Sequence, residues 1–255
     1  MKIEKFVNSK FYKGFEWFYR LVFLNLLVLT ISLALALTPF LIFIYKNDSG
    51  FYILLGIILF IIGFVPASIS SFITIKELDK DPSKNVFKLY FVYFIDTIKR
   101  LYLVELIFIP VFSITLYGIY YYWTLLGPEY FTADILSFTF VIAFVIEFFF
   151  LMILMMVYVN FNFLFAYFVM KPFTYLRLAF KFAFKYLFES FISFVILLVP
   201  VLLLFLLTNT FLPIYFILGI SLPQYFIFRI VRNKYEYFSR NIDNLNTDDL
   251  YLDNK

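Results

Sequence analysis

The chain of 255 residues contains no cysteine and no histidine. The lack of cysteine excludes disulfide bonds and cysteine nucleophiles. Because histidine is missing too, the sequence also excludes zinc sites built on Cys and His, Ser-His-Asp triads and haem held by His. Walker A, GxGxxG and HExxH motifs are also missing from the sequence. We therefore expect no catalytic residue, no metal and no cofactor, and we expect that the protein is not an enzyme.

Charged residues are scarce as well, at 15% of the chain, whereas 64% of the residues are apolar. A soluble domain is about 25% charged and about 45–50% apolar. A chain of this size cannot bury so much apolar surface in water, so lipid must surround it. The net charge of +4 does not indicate nucleic-acid binding, because the basic residues occupy short gaps between apolar runs. Such gaps suit an anionic membrane surface, and the predicted partner is the lipid bilayer.

Six apolar runs are long enough to cross the roughly 30 Å of a bilayer's hydrocarbon core. Backbone groups in lipid must be satisfied within their own segment, so we predict an all-α, polytopic transmembrane helical bundle with amphipathic cytoplasmic connector helices. The predicted spans are residues 18–45, 51–75, 101–123, 135–168, 187–207 and 211–230. Residues 1–235 form the membrane domain, and the polar, acidic segment 236–255 is predicted to be a disordered cytoplasmic tail.

The distribution of positive charge predicts the orientation. Of the 21 Lys and Arg residues, all but Lys46 lie before the first span, after the sixth, in the second and fourth of the five connections, or, as Arg20 and Arg229 do, at the adjoining edge of the first or sixth span. The positive-inside rule assigns that side to the cytoplasm. We therefore expect a multi-pass protein of the cell membrane, with its N- and C-termini on the cytoplasmic side. One alternative stays open, because Ala34-Leu35-Ala36 resembles a signal-peptidase site, although the apolar run continues to Tyr45.

The cytoplasmic connections have an amphipathic pattern. In TYLRLAFKFAFKYLFES, basic residues recur every four positions, with Phe and Leu on the other faces, which predicts a helix that lies on the inner leaflet. SKNVFKLYFVYFIDTIKR repeats this pattern more weakly. The predicted membrane-surface anchors are Lys84, Lys88, Arg177, Lys181 and Lys185. The alternative is that these side chains form a specific lipid or partner site.

Two acidic residues stand inside apolar runs and are candidates for ligand binding or coupling. Glu147 lies 13 residues into the fourth span, so we expect it near the middle of the membrane, protonated or bonded to polar groups of other helices. Glu105 lies near the cytoplasmic end of the third span. We expect it to form an interfacial ion pair with Arg20, Arg100 or Arg229.

Amides and prolines complete the set of candidate residues within the spans. Asn25, Asn160 and Asn162 are expected to form hydrogen bonds between helices, or alternatively to line a polar cavity. Prolines remove one helical hydrogen bond and bend a helix. The expected kinks are at Pro66, Pro110, Pro200 and Pro223.

The order of these features resembles the YesL family of bacterial integral membrane proteins, which is defined by a domain of unknown function. The leader FYKGFEWFYRLVFLNLLVL is followed by the proline turn GFVPASISSF, and later by FNFLFAYFVMKPFTYLRLAFKFAFKYLFESF. The positions that match the family pattern are Arg20, Asn25, Leu26, Leu27, Pro66 and Ala67. Between the two elements this chain has an extra stretch, which yields two full spans where the family has one.

The resemblance implies an accessory role in bacterial carbohydrate uptake, because family members are often found with ABC sugar importers. It implies no catalytic residues. We expect an accessory or regulatory partner of a bacterial membrane system, such as an ABC transporter. The alternative is a small secondary transporter or lipid-handling protein that uses a polar site around Glu147.

Overall fold

The computed structural model describes residues 10–46, 50–125 and 135–240. Within these ranges the chain forms eight helices and no strand, which confirms the predicted all-α class. The helices are α1 (Lys10–Lys46), α2 (Gly50–Lys80), α3 (Val86–Leu125), α4 (Ile135–Tyr167), α5 (Pro172–Lys185), α6 (Leu187–Leu206), α7 (Thr208–Leu218) and α8 (Ser221–Arg240).

Five of these helices, α1, α2, α3, α4 and α6, are long and apolar enough to cross a membrane by themselves. Helices α7 and α8 meet that criterion together as one broken span, bent by 53°. The described residues therefore contain five helices that could each cross a membrane, and six such crossings if α7 and α8 together form one, as in a multi-pass bundle. The predicted fourth and fifth spans agree with α4 and α6 within one residue at each end, whereas the predicted sixth span is two helices.

The predicted connector helices differ from the structure in one respect. Helix α3 begins at Val86 and includes both the second connector and the third span, since no Pro or Gly interrupts residues 86–100. Helix α1 likewise joins the leader to the first span, so α5 is the one separate connector helix among the described residues. Helix α8 continues to Arg240, beyond the predicted domain end at residue 235. Residues 241–255 of the predicted tail lie outside the described residues.

A capped turn connects α2 to α3. The Ser83 hydroxyl donates to Asp81 Oδ1 at 2.6 Å, and the Ser83 backbone N–H donates to the same oxygen at 3.0 Å. These two hydrogen bonds hold the pKa of the Asp81 carboxyl below its usual range. Asn85 Oδ1 then accepts the Lys88 backbone N–H at 3.1 Å, which is the N-cap arrangement that starts a helix.

The core of the bundle lies at one end, which we call the charged end. It is defined by the ion pairs Arg20–Glu16, Arg100–Asp96, Arg229–Asp79, Arg232–Asp79 and Lys234–Glu189. Near this end, every residue in 65–76 of α2 and in 156–165 of α4 is buried. The two helices contact each other through an edge-to-face pair of Phe72 and Phe163, with ring centroids 4.5 Å apart. Both helices are therefore enclosed on all faces here.

Toward the opposite end, packing becomes sparse. None of residues 138–155, which we call the exposed segment of α4, is buried. The most apolar window of α4 is only 11% buried, against 50% for α2. The aromatic contacts of this segment are with α3, between Trp123 and Phe144 and between Tyr122 and Phe140. A bundle in lipid tolerates such exposure, because lipid tails are as apolar as the side chains that face them.

Candidate functional site

The broken span between α7 and α8 has a local cause in the sequence. Pro223 lacks an N–H, and its ring clashes with the carbonyl four residues earlier, which belongs to Gly219. A side chain at Gly219 would also collide with the Tyr215 ring, since a Cβ there would lie 2.4 Å from Cδ2. The expected kink at Pro223 thus takes the form of a break just before it. The other three predicted kink positions, Pro66, Pro110 and Pro200, lie inside the continuous helices α2, α3 and α6.

Asn25 of α1 closes this break with four hydrogen bonds. Its Nδ2 donates to the backbone carbonyls of Tyr215 at 3.0 Å and Phe216 at 2.7 Å. Its Oδ1 accepts the backbone N–H groups of Ile220 at 2.7 Å and Ser221 at 3.0 Å. One fully buried amide therefore satisfies the end of α7 and the start of α8 together. The predicted interhelical role of Asn25 is confirmed.

Asn160 of α4 connects three helices at the charged end. Its Nδ2 donates to Ser190 Oγ of α6 at 2.9 Å and to the carbonyl of Met156 in its own helix at 2.8 Å. Its Oδ1 accepts the Tyr235 hydroxyl of α8 at 2.7 Å. Its interhelical role is also confirmed. Because both Nδ2 and Oδ1 of Asn160 bond to groups of this chain, the side chain serves to hold α4, α6 and α8 together.

Asn162 differs from the other two amides. Its Oδ1 is buried and has no hydrogen-bond partner, and the same holds for Oε1 of Gln224 in α8. Both side chains line one cavity of about 40 Å³ between α2, α4, α6 and α8, next to the break at Ile220. Most of the side chains that line this cavity are apolar, and Asn162 is the one predicted asparagine among them. Gln224 was not predicted, but it is the one amide in the last span and adjoins Pro223.

Glu105 does not form the predicted ion pair. One of its carboxylate oxygens, Oε1, is buried without a hydrogen-bond partner. Each of the three candidate arginines pairs with another acid: Arg20 with Glu16, Arg100 with Asp96 and Arg229 with Asp79. The sequence prediction was wrong because acids one helical turn away, or at the end of α2, compete for these arginines. Glu105 instead lies close enough to Tyr158 for the two groups to interact electrostatically.

Glu147 lies in the exposed segment of α4, against the backbone of Gly118 in α3. A Cβ at Gly118 would be 3.1 Å from Glu147 Oε1, so the glycine permits this close approach. Among the described residues, no hydrogen bond or ion pair holds the carboxyl group. Nineteen residues separate Glu147 from Ala166 at the charged end, roughly 28 Å of helix at 1.5 Å per residue. This length is close to the thickness of the hydrocarbon layer, and the depth of Glu147 in a membrane stays a prediction.

The charged end contains contacts that the sequence prediction missed. Asp79 of α2 accepts from Arg229 at 2.9 Å and from Arg232 at 2.7 Å, which ties α8 to α2. Lys76 is buried and donates to the carbonyl of Ala166, with its ammonium 4.1 Å from the centroid of the Tyr167 ring. The one sequence feature that marks Asp79 and Lys76 is their position at the end of an apolar run.

Helix α5 has three distinct faces. Tyr175, Ala179 and Phe182 are buried against the bundle, and the Tyr175 hydroxyl donates to the Phe168 carbonyl at 2.8 Å. Burial raises the pKa of Tyr175 above its ordinary value, so this hydroxyl stays neutral. The second face exposes phenylalanines and the third exposes cations: Phe173, Phe180 and Phe184, and Arg177, Lys181 and Lys185.

The cations of α5 are largely unpaired, as a surface anchor requires. Arg177 and Lys181 have no acidic partner among the described residues, and Lys185 lies 5.6 Å from the Tyr186 ring centroid. The two remaining predicted anchors, Lys84 and Lys88, are also exposed, although Lys84 pairs with Glu77 at 3.4 Å. This geometry suits a helix that lies in a membrane interface, with one face in the protein, one in lipid and one toward anionic headgroups.

Comparison with known proteins adds no functional information. No family model, no curated protein and no solved structure matches the chain. Among the described residues, no group of three or more Asp or Glu side chains could hold a metal ion. The candidate features are therefore the exposed segment of α4 with Glu147, the cavity at Asn162 and Gln224, and the basic face of α5.

Proposed function

We propose that this chain is an accessory or regulatory protein of the bacterial cell membrane, which acts by binding another membrane protein within the bilayer. A carbohydrate ABC importer is the partner class that the resemblance to the YesL family implies. In the proposed orientation the charged end and both termini face the cytoplasm, as the distribution of basic residues favours. The basic face of α5 then lies against the anionic inner leaflet.

The exposed segment of α4 is the observation that carries the proposal. Its side chains face outward on most sides, for example Ile146 at 62% and Phe149 at 56% exposure. Lipid alone would satisfy such an apolar surface. Lipid would not satisfy Glu147, whose carboxyl has no partner in the described part of the chain and is only half-buried. Intramembrane carboxyl groups generally pair with other polar groups, so a polar side chain on a partner's transmembrane helix fits this position.

Photocrosslinking tests the proposal directly. Because the chain has no cysteine, Phe149→Cys carries a maleimide-linked photocrosslinker at one defined site. Leu202→Cys on α6, which is 46% exposed, is the matched control on another lipid-facing helix. We expect illumination of native membranes to yield a discrete adduct with one membrane protein from position 149 and none from position 202. Equal yields of lipid adducts alone from both positions would contradict the proposal.

Substitutions at Glu147 distinguish the proposed function from its alternative, a small secondary transporter or lipid-handling protein. We expect Glu147→Leu to reduce the yield of the protein adduct, whereas Glu147→Gln retains hydrogen bonding and most of the yield. Flux into proteoliposomes that the purified chain supports alone, and that Glu147→Gln abolishes, would favour the alternative.

A further inference from the structure

Helix α5 carries positive charge that the chain itself does not neutralise. Its sequence PFTYLRLAFKFAFK contains three basic residues, Arg177, Lys181 and Lys185, and no acidic residue. Other basic side chains at the charged end pair with acids, as Arg232 does with Asp79. None of the ion pairs among the described residues includes a cation of α5, and all three cations are exposed. The basic face of α5 can therefore attract anions from outside the chain.

The basic face borders an apolar face that is also exposed. At about 100° per residue, the three cations span an arc of about 80° around the helix axis, and Phe173, Phe180 and Phe184 occupy the next arc of about 40°. These phenylalanines are 62%, 54% and 47% exposed. The buried side chains of α5 lie on the remaining side of the helix. An interfacial helix has this arrangement, with apolar side chains at the level of the acyl chains and cations at the level of the headgroups.

Both ends of α5 fix the directions of these faces. The Tyr175 hydroxyl donates to the Phe168 carbonyl at 2.8 Å and accepts the Met170 N–H at 3.0 Å, which ties α5 to the segment that follows α4. At its other end, Tyr186 alone separates α5 from α6. The backbone that carries the cations is therefore held in place before any ligand binds, and this lowers the entropy cost of binding.

The two exposed faces together indicate the class of ligand. A nucleic acid or an acidic soluble protein would neutralise the cations, but it would leave the phenylalanines in water, at a cost that grows with their apolar area. An anionic phospholipid suits both faces, because its headgroup is negative and its acyl chains are apolar. A zwitterionic phospholipid suits the phenylalanines equally well, but its headgroup brings no net negative charge to the cations.

We propose that the basic face of α5 binds the headgroups of anionic phospholipids and enriches these lipids around α5 relative to the rest of the bilayer. The inference rests on the membrane placement of α5 within the proposed function and not on the partner protein. It goes beyond anchoring, because an anchor needs only a position in the interface, whereas the basic face selects lipids by their charge. One basic side chain near an anionic surface favours binding by about fivefold, which sets the preference expected from a single contact.

Quenching of a fluorophore by brominated lipids tests this preference. Phe180→Cys, labelled with bimane in the otherwise cysteine-free chain, is reconstituted into phosphatidylcholine vesicles. The quencher is phosphatidylglycerol in one series and phosphatidylcholine in the other, with bromine at the same acyl positions. We expect the phosphatidylglycerol to reach half-maximal quenching at a mole fraction about fivefold lower. Leu202→Cys on α6, which is 46% exposed, is the matched control and should be quenched equally by both lipids.

The contribution of charge is measured in two further ways. Raising the salt concentration from about 0.1 M to about 1 M shortens the Debye length from about 10 Å to about 3 Å, so the preference should weaken. The triple variant Arg177→Gln, Lys181→Gln, Lys185→Gln should lose the preference. The triple variant Arg177→Lys, Lys181→Arg, Lys185→Arg keeps every charge and should retain it.

Equal half-quenching fractions for the two lipids at position 180 would overturn the proposal, and this comparison needs no substitution of the cations. A preference that persists in a folded glutamine variant would place the anionic lipid elsewhere and would overturn it as well. Neither result changes the protein adduct expected from Phe149→Cys, which tests the partner protein at α4. The lipid site and the proposed function can therefore fail separately.

Discussion

Replacing Asn25 with leucine is expected to lower the unfolding temperature of the detergent-solubilised protein by about 10 °C. The substitution removes all four hydrogen bonds that hold the break between α7 and α8. Tyr215 O keeps a donor, the Gly219 N–H at 2.8 Å. The N–H groups of Ile220 and Ser221 and the carbonyl of Phe216 lose theirs.

Two buried backbone N–H groups and one partly buried carbonyl without partners account for the size of this effect. Each costs about 1–3 kcal/mol in a protein interior, and hydrogen bonds between transmembrane helices average about 0.6 kcal/mol. A total of about 3–5 kcal/mol is therefore expected, at about 2–4 °C for each kcal/mol in a chain of this size. Straightening would not restore every hydrogen bond, because Pro223 has no N–H to donate to the Gly219 carbonyl.

The adjacent residue provides the control for Asn25. Leu26 is 44% exposed, so Leu26→Ala should shift the unfolding temperature by only about 1–2 °C. Asn25→Asp keeps the two acceptor interactions and loses the two donors, which should place it between leucine and the native residue. If Asn25→Leu unfolds at the same temperature as Leu26→Ala, the amide does not hold the break.

The second large effect is expected at Asn160. Asn160→Leu leaves the hydroxyls of Tyr235 and Ser190 without their partner, both of them buried, and should cost about 2–4 kcal/mol. Tyr235→Phe removes one hydrogen bond and retains the ring, which stacks on Phe163 at a centroid distance of 4.7 Å. Its cost should be about 1 kcal/mol.

A double-mutant cycle isolates the contact between Asn160 and Tyr235. The double variant Asn160→Leu, Tyr235→Phe should be less destabilised than the sum of the single variants, by about 1 kcal/mol, because neither partner is then left alone. Unfolding free energies measured in the same detergent for all four proteins supply the coupling. Strict additivity would mean that the two groups do not interact.

Sequence reasoning identified the spans because their signal is local. An apolar run of sufficient length has few alternatives in lipid, so the ends of α4 and α6 agree with prediction almost to the residue. The same reasoning recognised Asn25 and Asn160 as interhelical groups, since an amide in an apolar run must find partners. The sequence did not predict the hydrogen-bond partners of these two residues, because most of those partners lie in helices far along the chain.

The failures have a shared physical origin. The prediction for Glu105 required knowing which of several acids each arginine contacts. The packing of the helices determines those contacts, and the sequence does not show it. The mid-membrane position of Glu147 was predicted by counting from the start of its apolar run and stays a prediction, because α4, with 33 residues, is longer than a bilayer is thick and does not determine the depth of any one residue. Gln224 became significant only because the break brings it to the same cavity as Asn162.

Oxygen accessibility of spin labels along α4 tests the asymmetric packing of the bundle most directly. Single cysteines at consecutive positions from 138 to 165 are labelled in the otherwise cysteine-free chain and measured in lipid bilayers. We expect high accessibility on most faces of the exposed segment and uniformly low accessibility from 156 to 165, where every side chain is buried. A 3.6-residue oscillation that continues through positions 156–165 would show a lipid-facing side there, which contradicts the enclosed core.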